Sequence, residues 1–333
     1  MAGLERDIIP RAGKFLRDVA RREVGPRLID VFEKKTPLVV MPKSPGTREL
    51  TTSADRNLDD LVREKWEERF PDIPWYSEDV LKVDPRLKGL TPEQLRRFPA
   101  LMIVDIVDGS GNLARYDPNF CTSFALVMRG RPVLAVVYQP IVYQPGGMLW
   151  TAEEGQEGAF GNDQPISVSK IKDMEAAKIS TAHAWDSDER GRNLGAVINR
   201  LELYVNQTVG KASSVLDGVD VARGTTDAHA SFGLKPWDMA GFYFLITKAG
   251  GEVTGLWRDD WTPFQLDILA SNGLIHDDLR EILNRGMITA AIGRLYRARF
   301  RGDISRKPSL SYRAIGQIGR GIILLSRLHN SRK

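Results

Sequence analysis

Residues 101–113 read LMIVDIVDGSGNL. Four apolar residues predict a buried strand ending on Asp105, Asp108 follows three residues later, and the chain then turns through Gly109, Ser110 and Gly111. Two carboxylates where a strand opens into a glycine-bearing turn pack poorly in a core and are well placed to hold a cation. If a helix starts at the turn, the backbone N–H groups of Gly109 and Ser110 point outward and make an anion site. Cation and anion sites side by side imply phosphate chemistry.

The 333 residues suffice for one large or two ordinary domains, and 42% hydrophobic with 27% charged residues is a globular composition. A single cysteine, Cys121, rules out an internal disulfide framework, which fits a reducing compartment and a cytoplasmic protein. No uninterrupted apolar run marks a secretory signal or a membrane span. The net charge of +4 is unevenly placed: from Arg285 to Lys333 twelve Lys or Arg face one acid, Asp303, so the preceding residues are net acidic. An acidic body with a basic tail is not the pattern of a nucleic-acid binder.

Around the opening stretch, the periodicity predicts a helical segment over residues 8–32 with a break at Gly25-Pro26, a surface loop over 36–47, and a helix from Ser53 to Phe70. Ser53 is the expected N-cap of that helix, with Leu58, Leu61, Val62, Trp66 and Phe70 as its buried stripe. Downstream, 120–128 and 133–138 read as a hairpin, with further strands at 147–152 and 166–169. This predicts an antiparallel sheet backed by the earlier helices. From Ala177 onward strand and helix alternate: strands at 179–182, 203–209 and 266–271, and helices near 193–201, at 213–223, after Pro236 and over 276–284. The expected division is an α+β domain over 1–176, an α/β domain over 177–284, and a basic tail over 285–333.

Five acids stand at ends of predicted elements: Asp55, Glu78, Asp105, Asp108 and Asp238. Singly, Asp55 is explained by a helix dipole, Glu78 beside Asp79 by a surface, and Asp238 by an N-cap. Together they are hard oxygen ligands without His or Cys, a set that selects Mg²⁺ or Mn²⁺. The histidines, His183, His229, His276 and His329, lack ligand spacing and are expected to be structural. No Walker A, GxGxxG or GxSxG motif is present.

Four segments in order, Thr52–Asp55, Ser77–Asp79, Asp105–Leu113 and Trp237–Gly241, resemble the TxxD, GEE, DPIDGTTNF and WDxAAG motifs of the inositol monophosphatase family, over about Leu4 to Asn284. The resemblance implies a layered αβαβα sandwich and a Mg²⁺-dependent, lithium-sensitive phosphomonoesterase holding two or three ions. It implies that Glu78, Asp105 and the Ile106 carbonyl hold one metal and that Asp105, Asp108 and Asp238 hold a second. Ser110, where the family has threonine, would orient the attacking water with Asp55, and Gly109 and Ser110 would bind phosphate. Substrate contacts would come from Ala212, Ser213, Ser214 and Ser231. Ala212 stands where the family usually has glycine, and Ser231 where inositol-cleaving members carry glutamate. The machinery therefore matches while the substrate-reading positions differ. An inositol or similar polyol or sugar phosphate is the expected substrate. 3′-Phosphoadenosine 5′-phosphate or fructose 1,6-bisphosphate are alternatives, as is a non-catalytic binding protein acting through its tail. Family members often form homodimers. In the tail Ile315, Ile318, Ile322 and Leu325 share one helical face and Arg313, Arg320 and Arg327 the other, a pattern suited to an anionic membrane surface or an acidic partner.

Overall fold

The computed structural model describes residues 2–42, 50–78, 84–183, 201–256, 258–265 and 267–285. The expectations for Asp79, for most of a helix near 193–201 and for the basic tail lie outside these residues. The core is built around a strand, β4 (Ala100–Asp108), in which every residue from Leu101 onward is buried. A non-alternating apolar run produces this, because both faces of the strand must be covered.

Before β4 come α1 (Ala2–Val19), a π-helical turn (Ala20–Val24), α2 (Gly25–Phe32), β1 (Val40–Pro42), β2 (Leu50–Thr52), α3 (Ser53–Arg69), β3 (Trp75–Ser77) and α4 (Pro92–Arg96). After it come α5 (Ser110–Leu113), β5 (Cys121–Met128), β6 (Arg131–Gln139), β7 (Met148–Glu153), β8 (Ala159–Gly161) and β9 (Gln164–Ile166). The remainder is β10 (Lys178–His183), β11 (Gln207–Val209), α6 (Ser214–Ala222), β12 (Ala228–Phe232), α7 (Pro236–Lys248), β13 (Glu252–Thr254), β14 (Asp267–Ser271) and a helix over 276–285, α8.

Strands β3 to β9 form a seven-stranded sheet in chain order, antiparallel except for the parallel β3–β4 pair. A five-stranded sheet has the order β11-β10-β12-β14-β13, parallel across its first three strands and antiparallel thereafter. Side-chain alternation sorts the core into layers. Met102, Val104, Phe124, Leu126, Leu134 and Val136 pack on α1, α2 and α3. The opposite face, including Ala135 and Val137, packs on α6 and α7, which also cover Ile268 and Ala270 of the second sheet. Ala228, Ala230, Phe232 and Leu269 face the other way, onto Leu279 and Leu283 of α8. The result is the expected layered αβαβα sandwich. The boundary at 176/177 falls between the sheets, and on that ground we propose the two-domain division.

Several local expectations are corrected. Thr52, not Ser53, caps α3: it forms a capping box with Asp55, whose Oδ2 accepts the Thr52 N–H at 2.9 Å. The loop expected over 36–47 contains a strand, β1, which pairs antiparallel with β2. The strand at 203–209 shrinks to β11, and that at 166–169 is replaced by β9. The break at Gly25-Pro26 follows a π-helical turn in which the Gly25 N–H donates to the Ala20 carbonyl. A Cβ at Gly25 would lie 2.6 Å from the Tyr138 ring, so the helix approaches the sheet there only because the residue is glycine.

Candidate active site

On a regular strand Asp105 and Asp108, an odd number of residues apart, would face opposite sides of the sheet. The pairing of β4 with β5 shifts between them: Asp105 stands opposite Ser123 and Asp108 opposite Cys121, three steps against two. This bulge brings both carboxylates to one side, a recurrent use of bulges beside active sites. Asp105 Oδ1 accepts the Val107 N–H at 3.1 Å, which fixes its carboxylate at the bulge. The chain then leaves the strand through Gly109, at φ 89°, where a Cβ would meet the Asn119 carbonyl oxygen at 2.8 Å. Only glycine satisfies both the left-handed backbone and the close approach.

The turn delivers Ser110 to the start of α3. The Ser110 hydroxyl lies 2.5 Å from Asp55 Oδ1 and 2.9 Å from the Val107 carbonyl oxygen. Asp55 Oδ2 is held by the Thr52 hydroxyl and N–H. Asp55 therefore has both the helix-capping role and the long-range partner between which the sequence alone did not choose. Burial pushes its carboxyl above the ordinary carboxylate range, against the lowering effect of these hydrogen bonds.

The second sheet contributes through two helix starts. Asp108 Oδ2 accepts from the Ser213 hydroxyl, and from the Val215 N–H at 3.0 Å. Ser213 is itself the N-cap of α6, accepting the Leu216 N–H at 3.3 Å. Asp238, in the first turn of α7, accepts the Lys235 N–H at 2.8 Å. Oxygens of Asp105, Asp108 and Asp238 lie within 4.8 Å of one another, with Asp105 and Asp108 buried and Asp238 half-buried. Three carboxylates packed this closely repel unless a cation shares them, and the all-oxygen set fits a hard divalent ion.

Glu78 is half-buried, one position past the Ser77–Val104 pair, which points the parallel β3 toward Asp105; it lies outside the 4.8 Å group. The Ile106 carbonyl accepts the Thr122 hydroxyl at 2.8 Å and retains a second lone pair. Ala212 is exposed and adopts φ 54°, a left-handed conformation that explains why glycine is usual there. Ser214 is half-buried at the same loop. The other two residues expected to contact substrate have partners within the chain. Ser213 is 2% exposed and its hydroxyl bonds Asp108 and Leu216. Ser231 is fully buried against His229, with no surface toward a substrate.

His229 and His276 are structural, as expected. His229 bridges Ser180 and Ser231, and burial drives its pKa down to about 3. His276 bridges Thr254 and Ser271, and burial lowers its pKa too. Thr52 and Asn112, which lie within the motifs but were given no role of their own, and Thr122 are the site residues that sequence reasoning did not assign. For Thr52 the signal was present as a T-x-x-D box. For the other two the partners are carbonyls distant along the chain, which no local pattern announces.

The inositol monophosphatase family model matches residues 13–287. A Thermotoga maritima protein named fructose-1,6-bisphosphatase/inositol-1-monophosphatase is 28% identical over 256 residues, covering 77% of this chain and 87% of its own length. Nus factor SuhB of Xylella fastidiosa is 26% identical over 270 residues, covering 79% and 91%. Among solved structures, the extragenic suppressor protein suhB of Bartonella henselae superposes with a TM-score of 0.70 at 25% identity, over 81% of this chain and 97% of that one. An acid cluster at a strand bulge, a serine–aspartate pair beside it and a family match over most of the chain agree: the chain belongs to the inositol monophosphatase family.

Proposed function

We propose that the chain is a Mg²⁺-dependent phosphomonoesterase that hydrolyses a small polyol or sugar phosphate. The observation that carries this reading is the meeting of Asp105, Asp108 and Asp238 beside the Gly109–Ser110 turn, with Ser110 on Asp55. Asp105, Asp108 and Asp238 would hold one divalent cation, and Glu78, Asp105 and the Ile106 carbonyl would hold another. Bound there, Mg²⁺ would neutralise phosphate charge and make water a better nucleophile. Asp55 accepts a hydrogen bond from the Ser110 hydroxyl, so the serine oxygen presents lone pairs to a water and aims it at phosphorus. The N–H groups of Gly109 and Ser110 receive the phosphoryl oxygens. Water adds in line and gives up one proton to solvent, the ester P–O bond breaks, and the released alkoxide takes up a proton from solvent.

Substrate reading falls to the exposed edge at Ala212 and Ser214, because Ser213 and Ser231 are enclosed. The Thermotoga relative's name favours sugar and inositol phosphates. The test is a panel of phosphate esters, including inositol 1-phosphate, fructose 1,6-bisphosphate and 3′-phosphoadenosine 5′-phosphate, with Mg²⁺, with and without lithium, on wild type and Asp105→Asn. Hydrolysis by wild type, its loss on chelation, and a drop of at least about 10²-fold in Asp105→Asn are expected. No hydrolysis of any ester under any metal condition would sink the reading. A second reading, a protein-binding role, draws on the relatives named Nus factor SuhB. Retained partner binding by an inactive Asp105→Asn chain would support it. The homodimer and the cytoplasmic location stay proposals, as does docking of the tail on an anionic surface. Among the described residues no helix is long and apolar enough to cross a membrane.

A further inference from the structure

We infer that Asn112 is a positioning residue for the loop over 210–213, and that through this loop it sets how tightly substrate is held. Its side-chain amide crosses from α5, just after the phosphate turn, to the second sheet. Nδ2 lies 2.6 Å from the Asn119 carbonyl oxygen, 2.8 Å from that of Lys211 and 3.3 Å from that of Ala212. An amide has two N–H donors, so one serves Asn119 and the other is shared by the adjacent carbonyls of the loop. Those carbonyls flank the strained position, Ala212 at φ 54°.

Lys211 and Ser213 have anchors of their own. The Lys211 N–H donates to Asp217 Oδ1 at 3.0 Å and its Nζ pairs with Asp220 at 2.6 Å. Ser213 is fixed on Asp108. Ala212 has neither anchor: its carbonyl is reached by Asn112 alone among the described hydrogen bonds, and its side chain is exposed. A non-glycine residue drifts from the left-handed region unless its neighbours hold it there. Asn112 thus performs here what a glycine at 212 would make unnecessary. Removing the amide leaves Ser213 and Val215 on Asp108, so the acid cluster keeps its geometry while the exposed edge of the site loosens. The expected signature is a change in KM more than in kcat.

This inference rests on the phosphatase reading for its kinetic arm only. The experiment uses full-length protein with 4-nitrophenyl phosphate and Mg²⁺, comparing wild type, Asn112→Ala and Asn112→Ala combined with Ala212→Gly. Asn112→Ala is expected to raise KM about five- to tenfold with kcat within about threefold, the loss expected of one good hydrogen bond. It also speeds backbone amide exchange in a peptide over 207–216. Adding Ala212→Gly is expected to return both toward wild type. Unchanged KM and unchanged exchange, or a loss of kcat that glycine does not rescue, would overturn the inference. Should Asn112→Ala fail to fold, the side-chain amide protons of Asn112 in the wild type decide: slow exchange supports the clamp and solvent-rate exchange refutes it. A wild type inactive on every ester removes the phosphatase reading, while the exchange measurements still judge the clamp.

Discussion

Asp217 is 3% exposed in the first turn of α6, and burial raises its pKa from 3.8 to about 7, with the nearby charges of Asp108 and Asp220 adding to the rise. A folded-state pKa above the unfolded value means that the native protein holds a proton which the unfolded chain releases between about pH 4 and 7. Stability therefore falls as pH rises through that window, and the loss persists above it, by up to about 4 kcal/mol. Asp217→Asn keeps an oxygen for the Lys211 N–H and removes the charge. In chelator, this variant is expected to melt several degrees above wild type at pH 8 and above it by less than half as much at pH 5. Equal shifts at both pH values would refute the argument. Sequence reading did not single out Asp217, because an acid inside a helix reads as a solvated face. Asp105, Asp108 and Asp238 were legible for the opposite reason: each sits where an apolar run starts or stops, and such boundaries survive in a one-dimensional pattern. What could not be read was their partners, since Ser213 meets Asp108 across 105 positions of chain.

At the scale of elements, the opening strand, the β5–β6 hairpin and the apolar α7 followed directly from their periodicities. The strand β12 did not, although it lies at the centre of its sheet. It reads AHASF, and a histidine between small residues carries little strand signal. Its polar side chains are tolerated because His229 bonds Ser180 and Ser231 inside the layer, and sits edge-on to Phe242 of α7. The same layer explains Gly218. A Cβ there would lie 2.2 Å from the Phe242 ring, so α6 and α7 cross at a distance that only glycine permits. In an exposed helix Gly→Ala stabilises by about 1 kcal/mol. Here overpacking reverses the sign, and Gly218→Ala is expected to lower stability by about 1–3 kcal/mol in urea unfolding. A stabilised variant would show that the two helices separate easily, and that α6 does not set the position of Asp108.

For the whole molecule, the consequence is that one cation would tie the two sheets together. Asp105 and Asp108 come from β4 of the first sheet, Asp238 from a helix that also covers the second, and their oxygens meet within 4.8 Å. A cation held by all three carboxylates would be a cross-link between the two halves. A ligand that binds only the folded state stabilises it by mass action, about 2.7 kcal/mol at a hundred times its dissociation constant. Wild-type protein is therefore expected to melt at rising temperature as Mg²⁺ is added, and to fall back in chelator. Asp238→Asn separates the two halves of the argument, because asparagine still offers an oxygen to the Lys235 N–H that closes the first turn of α7. In chelator it should melt close to the wild-type temperature, the cap of α7 being kept. In Mg²⁺ it should melt below wild type, with most of the metal-dependent rise lost. Identical Mg²⁺ shifts in both proteins would mean that Asp238 only caps its helix and that the cation, if held, belongs to the first sheet alone.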